Sequence, residues 1–594
     1  MGKFISQACL EVIVYRETIS LLGRLFMKMN KVLSTAMVLT LIGGALAGCG
    51  DKKESTSSTA PSEKPSASTD VAASTAPAAG NKTMTIIFSA EPPDLDSSKG
   101  TTNAAFTMLG ALNEGLYRLD KDGLPQPALA EALPTISADG LTYTIKLRQG
   151  LTFSDGSPLT ASNFVEAYRR TVDPNTEAAY SFMLEWIKGG NKVHTTDPKD
   201  AAALTAAKEA MGVKAIDPTT LEITLEKPIA WFTQQLAFAL FFPQKTELVA
   251  SAGDEYGKDP DKVIGAGPFV LKTWKHEQEL VFEKNPSYWD AANVKLDKVV
   301  INVVKDRASA VNLYETKKAD MTTLAGDFIK QYEGKPDLQS KKELTNAYLM
   351  YQSQDNTFLA NKNIREALTL AIDRQQHIDI VLKNGSTAAT GLVPVGTADG
   401  NNGEFRTTAG DTLAPFDAAK AKELLAAGLK ELNLTALPEF KVTADDTEGA
   451  KKSLEFILAQ WQQNLGVKAV ADPVPHELRV ERQHNKDYQV IIALWGADYN
   501  DPMTFLDMWT TKSDFNETGW SNAAYDKFIA DAQVEVDGAK RAAILVEAEK
   551  LLMDEMPIGP LYFRTTKYAL NPNVEGLYYP SFGQEWELKY VNIK

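Results

Sequence analysis

Most of this chain alternates between short segments of period-two hydrophobicity and amphipathic helical segments. Residues 143–147 (YTIKL) and 221–225 (LEITL) alternate apolar and polar side chains, as half-buried strands do. Residues 162–170 (SNFVEAYRR) instead place their large apolar side chains on one face of a helix. Similar strand patterns occupy residues 84–88 and 490–494, and helical patterns occupy residues 363–372, 418–429, 452–465 and 538–553. This alternation predicts an α/β protein.

The N-terminal region has the pattern of an export signal. Lys28 and Lys31 precede a run of apolar and small residues at 32–47, which is shorter than the ~20 residues of a membrane-spanning helix. The run leads into LAGC at residues 46–49, a sequence typical of the lipobox of bacterial lipoproteins. Cys49 is therefore the predicted lipidation site, since its thiol can accept a diacylglycerol.

The predicted signal peptide covers residues 1–48. Charged side chains interrupt the apolar pattern before residue 27, so translation is expected to begin at Met27 or Met29. Residues 49–82 contain almost no large apolar side chain and are predicted to form a disordered tether between the lipid and the folded body. The other cysteine, Cys9, lies in the removed segment, so no disulfide is expected.

Composition and missing motifs exclude several functional classes. The net charge of -15 argues against a nucleic-acid partner. No phosphate-binding glycine loop, GxSxG motif or catalytic cysteine is present. His476-Glu477 begins a zinc-protease-like motif, but Val480 stands where the second histidine ligand is required. Neither a metal nor another cofactor is expected.

A series of longer motifs carries a family resemblance. The segment SADGLTYTIKLRQGLTFSDG at residues 137–156 resembles the signature of extracellular solute-binding proteins of the oligopeptide, dipeptide and nickel class. The series continues in the family's order with PLTASNF at 158–164, VDPNT at 172–176, GAGPF at 265–269, KNPSYW at 284–289, IREAL at 364–368, AIDR at 371–374 and WGADYNDP at 495–502. The SDG and GAGP segments are interpreted as turns that report the fold rather than the ligand.

The resemblance implies a type II periplasmic-binding-protein-like fold with two lobes and a hinge. The first lobe, made of two subdomains, is expected at residues 84–345, and the second lobe at residues 346–565. Residues 566–594 are expected to return to the first lobe. Closure of the lobes about the hinge would bury the ligand.

The motif at 495–502 is the strongest candidate for ligand contacts. It follows the predicted strand 490–494, and strand ends are where α/β proteins hold ligands. In similar proteins the residue matching Asp498 binds the ligand's α-ammonium, and the residue matching Trp495 lines a side-chain pocket beside Gly496 and Ala497. The alternative is that Asp498 only caps the following turn.

Two further residues are candidates because of their matches to the family. The residue matching Glu91 faces the cleft in similar proteins, and Tyr180 matches another cleft aromatic. Both are equally compatible with packing or surface roles.

The chain also departs from the family pattern at charged positions. Ile492 replaces an arginine three residues before the tryptophan, and Arg482 matches a second arginine only if one residue is inserted. Near the hinge, Arg564 stands where the pattern has a tyrosine. Arg564 could therefore supply the charge lost at 492 and meet a ligand carboxylate.

The resemblance implies that the protein captures oligopeptides outside the membrane and delivers them to the permease of an ABC importer, with ATP hydrolysed by a separate subunit. The expected location is the outer face of the membrane of a Gram-positive cell, with a monomeric protein held by lipid on Cys49. One alternative is the same fold binding a signalling peptide, a nickel chelate or an opine-like solute. A secreted hydrolase is the other.

Overall fold

The computed structural model describes residues 82–594, apart from residues 90, 122, 355–357, 402 and 581. The predicted signal peptide, Cys49 and the predicted tether up to residue 81 lie outside the described residues. The described residues belong to one compact unit. None of the helices among them has the length and apolar character needed to cross a bilayer.

The strands form one large mixed sheet and three small ones. Their bounds are β1 Thr83–Phe88, β2 Tyr117–Leu119, β3 Pro125–Pro127, β4 Thr135–Ile136, β5 Thr142–Lys146, β6 Val213–Asp217, β7 Thr220–Thr224, β8 Phe269–Lys275, β9 Glu279–Lys284, β10 Lys298–Val303, β11 Met321–Leu324, β12 Leu338–Tyr351, β13 Thr387–Ala388, β14 Phe440–Asp445, β15 Ala469–Val474, β16 Val490–Gly496, β17 Ile558–Leu570, β18 Val574–Glu575 and β19 Asn592–Ile593.

The α-helices cover the sheets and fill the connections. Their bounds are α1 Asn103–Leu112, α2 Ala161–Thr171, α3 Gly190–His194, α4 Ala201–Ala210, α5 Phe232–Gln235, α6 Thr246–Ala252, α7 Arg307–Glu315, α8 Lys362–Leu370, α9 Arg374–His377, α10 Phe405–Ala409, α11 Ala418–Glu431, α12 Glu448–Leu465, α13 His476–His484, α14 Met503–Leu506, α15 Ala523–Val534 and α16 Gly538–Glu555. The α/β prediction is confirmed.

Two long strands lie at the middle of the large sheet, whose order is β15-β14-β16-β12-β17-β11-β1-β10-β9-β8. β12 pairs antiparallel with β16 on one edge and with β17 on the other. Strands from residues 440–496 therefore lie on one side of this pair, and strands from residues 83–324 lie on the other. The predicted lobe boundaries near 345 and 565 fall within these two strands and stay a prediction.

Helix boundaries follow local capping. The predicted helix at 452–465 begins four residues earlier, at Glu448, because the side chain of Thr447 accepts a hydrogen bond from the backbone N–H of Ala450 (3.3 Å). This helix packs on α8 through Trp461, whose indole N–H donates to the carbonyl of Leu368 (2.7 Å). Trp461 and Leu368 belong to a hydrophobic core that also contains side chains of β14 and β16.

The glycines of the GAGP segment hold one loop against α1. A Cβ at Gly265 would lie 2.1 Å from the carbonyl oxygen of Leu112, and a Cβ at Gly267 would lie 2.6 Å from the backbone nitrogen of Asn113. Both distances are sterically forbidden, so only glycine allows this backbone approach. The structural interpretation of this segment is confirmed.

Candidate functional site

A cavity of about 550 Å³ lies on the face of the large sheet where β12, β16 and β17 are neighbours. Residues 101–106, 179–180 and 582–583 line one side of it. Helix α13 and residues 494–498 line the opposite side. Its volume is in the range of small-molecule and cofactor sites, about 300–1,000 Å³.

Asp498 lies in this cavity, two residues beyond the end of β16. Its side chain is buried, and the hydroxyl of Tyr180 donates a hydrogen bond to its carboxylate from the other side of the cavity. Burial and the nearby charge of Asp507 raise the pKa of the Asp498 carboxyl well above its ordinary value, and the Tyr180 bond opposes them. Within the described part of the chain, the groups that shift this pKa are the Asp507 carboxylate and the Tyr180 hydroxyl, and neither is a cation. Such a carboxyl is suited to accept a cationic group from a ligand.

The turn after Asp498 is capped by a different residue. The carboxylate of Asp501 accepts a hydrogen bond from the backbone N–H of Met503 (2.9 Å) and forms a two-pronged ion pair with Arg541 (2.7 and 2.8 Å). Asp501 therefore caps this turn, which is the role that the alternative interpretation gives to Asp498. This leaves the Asp498 carboxylate facing the cavity.

The three residues before Asp498 fix its position and shape the cavity wall. Gly496 pairs with Thr345 of β12, and the backbone N–H of Ala497 donates to the carbonyl of Leu344 (2.7 Å). Trp495 packs edge-on against Phe515 with ring centroids 5.1 Å apart. The buried indole N–H of Trp495 has no hydrogen-bond partner within the part of the chain that the structure describes. An unpaired buried donor at a cavity wall is a contact point for a ligand acceptor.

Tyr180 enters the cavity from the opposite side. Its ring packs against Phe106 and Phe238, at centroid distances of 6.0 and 6.1 Å. Burial raises the pKa of the Tyr180 hydroxyl well above its usual value, so this group stays a hydrogen-bond donor at neutral pH. The structure thus brings Tyr180 together with Asp498, although they are distant in sequence.

Glu91 does not reach this cavity. Its carboxylate accepts hydrogen bonds from the indole N–H of Trp274 (2.6 Å) and the backbone N–H of Glu277 (2.5 Å), and it lies 2.6 Å from Nδ1 of His276. These partners belong to strand β8 and the turn that follows it. The β8–β9 hairpin thus satisfies the Glu91 carboxylate, as the packing alternative requires, and a role for Glu91 in the cleft stays a prediction.

Arg482 also points away from the cavity. Its guanidinium donates to the carboxylate of Asp472 in β15 (2.7 Å). Arg479, three residues earlier on α13, lines the cavity instead and is bound by Asp445 (2.6 Å) and Gln483 (2.5 Å). At 100° per residue, the lining positions 476, 479, 480, 483 and 484 fall on one face of α13, whereas Arg482 falls beside Arg479 on the side away from that face.

Arg564 lines the cavity but is already paired. Its Nε and Nη2 atoms lie 2.7 and 2.6 Å from Oε2 of Glu343, whose side chain is 2% exposed. Thr566 also donates a hydrogen bond to the Glu343 carboxylate (2.5 Å). A buried glutamate therefore holds the Arg564 guanidinium in this structure, and contact of Arg564 with a ligand carboxylate stays a prediction. No sequence motif marks Glu343.

The histidines near the cavity are paired with carboxylates. Nδ1 of His476 lies 3.2 Å from Asp445, and Nδ1 of His484 lies 3.7 Å from Glu517. Among the described residues, no group of three or more histidine, cysteine or acidic side chains is arranged to hold a metal ion.

Comparison with known proteins agrees with this geometry. Residues 125–517 match the sequence model of bacterial extracellular solute-binding proteins, family 5 (middle). The chain is 31% identical to the dipeptide-binding protein DppE of Bacillus subtilis over 498 residues, which cover 84% of this chain and 90% of that protein. It is also 31% identical to a dipeptide-binding protein of Lactococcus lactis, with 96% of this chain and 100% of that protein covered.

A solved structure shares the fold. The structure of OppA from Listeria monocytogenes bound to peptide is 37% identical, with a TM-score of 0.78, and the match covers 87% of this chain and 100% of that one. The predicted type II periplasmic-binding-protein-like, two-lobed fold is confirmed by this similarity. The chain is a member of the bacterial extracellular solute-binding proteins of family 5.

Proposed function

We propose that this protein captures oligopeptides outside the membrane and delivers them to the permease of an ABC importer. The observation that carries the proposal is the buried Asp498 carboxyl, which faces the cavity and has no cation among the groups of the described residues that act on it. The α-ammonium of a peptide provides a positive charge and three hydrogen-bond donors for this carboxyl. The names of the peptide-binding relatives support the same ligand class.

The contacts across the cavity suggest how binding is coupled to closure. Tyr180 approaches from one side of the cavity, and Asp498 belongs to the segment that follows β16 on the other side. A ligand ammonium placed at Asp498 would draw the two sides together, with β12 and β17 as the hinge. Trp495 would then supply an indole donor and an apolar surface for the first residues of the peptide.

The remaining parts of the proposal concern location and partners. Lipid on Cys49 would hold a monomer at the outer face of the cell membrane, with residues 49–82 as a tether. The permease and a separate ATPase would perform transport, so the protein itself would need no cofactor and no catalytic activity. Mass spectrometry of the chain extracted from membranes would detect a diacylglyceryl group, and a Cys49→Ser variant would lack it.

Native mass spectrometry tests the ligand. The full chain is purified from cells without refolding, and bound molecules are weighed. A ladder of masses equal to short peptides, lost in Asp498→Ala and retained in Asp514→Ala, supports peptide capture. Asp514 is the matched control because it is an exposed aspartate in the segment that follows Asp498. A single non-peptide mass would keep the family and overturn the ligand, and incubation with free peptides would reveal any hydrolysis.

A further inference from the structure

A cluster of aromatic rings lies directly beside Asp498 but outside the cavity. Tyr499, the next residue along the chain, stacks on Trp231 with ring centroids 5.3 Å apart and ring planes inclined by 7°. Trp186 packs edge-on against both rings, at centroid distances of 5.7 and 5.9 Å. The described residues that line the cavity include none of these three aromatic residues. The cluster therefore acts on the Asp498 segment from a side that a ligand in the cavity does not contact.

A buried cation completes the cluster. The guanidinium carbon of Arg541 lies 4.6 Å from the ring centroid of Trp231, and the same guanidinium forms the two-pronged ion pair with Asp501. The side chains of Arg541 and Asp501 are each 4% exposed. A desolvated cation is attracted to an indole ring more strongly than an exposed one. The turn after Asp498 is thus tied to Trp231 twice, through Tyr499 directly and through Asp501 by way of Arg541.

These contacts join the two predicted lobes. Trp231 immediately precedes α5 in the predicted first lobe, and its stacking partner follows β16 in the predicted second lobe. Two hydrogen bonds link the same regions: the backbone N–H of Asn500 donates to Oε1 of Gln234 (3.2 Å), and the ammonium of Lys227 donates to Oε1 of Gln533. The stack on Trp231 therefore forms only while the two regions are in contact.

The position of the Asp498 carboxyl depends on the residues that flank it. On the N-terminal side the chain is hydrogen-bonded to β12, and the backbone N–H of Asp498 itself donates to the hydroxyl of Thr504 (3.2 Å). On the C-terminal side, Tyr499 is held by the stack on Trp231 and by its hydroxyl, which lies 3.5 Å from the carboxylate of Asp507. Binding groups must be held within about 0.5 Å of their productive geometry. The support of Tyr499 therefore affects how well the Asp498 carboxyl meets a ligand ammonium.

We propose that Trp231 is a positioning residue for the Asp498 carboxyl, which it orients through Tyr499 without touching the ligand. The inference rests on the proposed function and deepens it, because it assigns part of the selectivity for a free peptide N-terminus to a residue outside the cavity. Loss of the Trp231 ring lets the turn after Asp498 shift, so the carboxyl meets the ammonium less well. The contacts that a peptide makes elsewhere in the cavity stay the same.

The readout is the ratio of the affinities for one peptide with a free and with an acetylated N-terminus. The peptide is a synthetic copy of the most abundant sequence that co-purifies with the full chain, and both forms are titrated by calorimetry. Trp231→Met removes the ring but leaves a flexible apolar side chain in its space. It should lower the ratio roughly tenfold, because a charge-assisted hydrogen bond is misplaced. Affinity for the acetylated form should change by less than about twofold, which also shows that the variant is folded.

Two further variants probe the stack itself. The buried indole N–H of Trp231 has no hydrogen-bond partner within the described part of the chain, so Trp231→Phe keeps a flat ring without losing a hydrogen bond. This conservative variant should keep the ratio within about threefold of wild type. Trp186→Met, at a half-buried position, loosens the stack from its edge and should lower the ratio in the same direction as Trp231→Met. Trp186→Met thus keeps the test decisive if Trp231→Met does not fold.

Gln533→Ala is the control for contact between the lobes in general. It removes the hydrogen bond from Lys227, which joins the same two regions through polar side chains. A general weakening of closure lowers the affinities for both forms of the peptide by the same factor. Gln533→Ala should therefore leave the ratio unchanged.

The outcomes separate this inference from the function on which it rests. An unchanged ratio in Trp231→Met and Trp186→Met, or an equal fall of the ratio in Gln533→Ala, would overturn the positioning role and leave peptide capture standing. If wild type binds the acetylated peptide as tightly as the free one, the ammonium contact at Asp498 fails and the positioning role fails with it. If no peptide co-purifies with wild type, the proposed function itself is overturned, together with this role.

Discussion

Replacing Asp498 with asparagine tests the ammonium contact most directly. The side chains have nearly the same volume, so the cavity keeps its shape while the carboxylate charge is removed. If peptides bind through their α-ammonium, Asp498→Asn leaves that cation in a buried site without its counter-charge. The variant should therefore bind free peptides much more weakly.

The size of the effect follows from the surroundings of the carboxyl. Removing one partner of a buried ion pair typically costs about 3–5 kcal/mol. In the free protein, burial and Asp507 raise the pKa of Asp498, so part of the pairing energy in wild type is used to ionise the carboxyl. The expected loss lies at the lower end, about 3 kcal/mol, or roughly 100-fold in Kd.

The same reasoning sets the pH dependence. Below its raised pKa the free Asp498 carboxyl carries a proton that an incoming ammonium must displace, so wild-type affinity should fall as the pH falls. The asparagine variant has no titrating group at this position and should lack that loss. Calorimetry in two buffers of different ionisation enthalpy would measure the proton released on binding to wild type.

An N-acetylated peptide provides the decisive comparison. Acetylation removes the ammonium, so wild type and Asp498→Asn should bind the acetylated peptide with nearly equal affinity. Asp514→Asn, at an exposed position, serves as the charge control. If acetylated and free peptides bind wild type equally well, or if the asparagine variant binds free peptide like wild type, the reasoning is refuted.

Three other predictions follow from the same contacts. Arg479→Ala should weaken peptide binding about five- to tenfold, whereas Arg482→Ala on the same helix should change it less than about twofold; equal effects in titrations would contradict the placement of these side chains. Arg564→Ala should lower the free energy of unfolding by about 3 kcal/mol because it leaves Glu343 buried and unpaired, and adding Glu343→Gln should recover much of this loss in urea unfolding. Asp507 has its pKa raised to about 7 by burial and by Asp501, so the native state holds this proton more tightly than the unfolded chain, where the pKa is about 3.9. The free energy of unfolding of wild type should therefore fall as the pH rises from about 4 to about 7. Over the same range the Asp507→Asn variant should become more stable than wild type by up to about 4 kcal/mol, and a difference that does not change with pH would exclude this explanation.

Local patterns in the sequence predicted several of the strands and helices. The period-two segments at 143–147 and 221–225 are paired strands, and the amphipathic segment at 162–170 is a helix between Ala161 and Thr171. These features depend on neighbours along the chain, where side-chain periodicity and capping act directly. The order of the longer motifs likewise led to the family without any knowledge of contacts.

The charged residues of the site could be predicted less well. Arg482 and Arg479 are three positions apart on one helix, and only the packing of that helix decides which of them faces the cavity. Glu343 and Arg564 are 221 positions apart and meet because β12 and β17 are neighbours. Glu91 follows the first strand as the family pattern requires, yet the hairpin beside it satisfies its carboxylate.

The sequence by itself determined the α/β class, the family and the cavity position of Asp498, because these depend on periodicity and on a contiguous motif at a strand end. Only the tertiary structure decided which long, flexible charged side chains face the cavity and which are neutralised by distant partners. A charge interacts with whatever group the fold brings within a few ångströms, and this group is set by strand register and helix packing rather than by sequence distance.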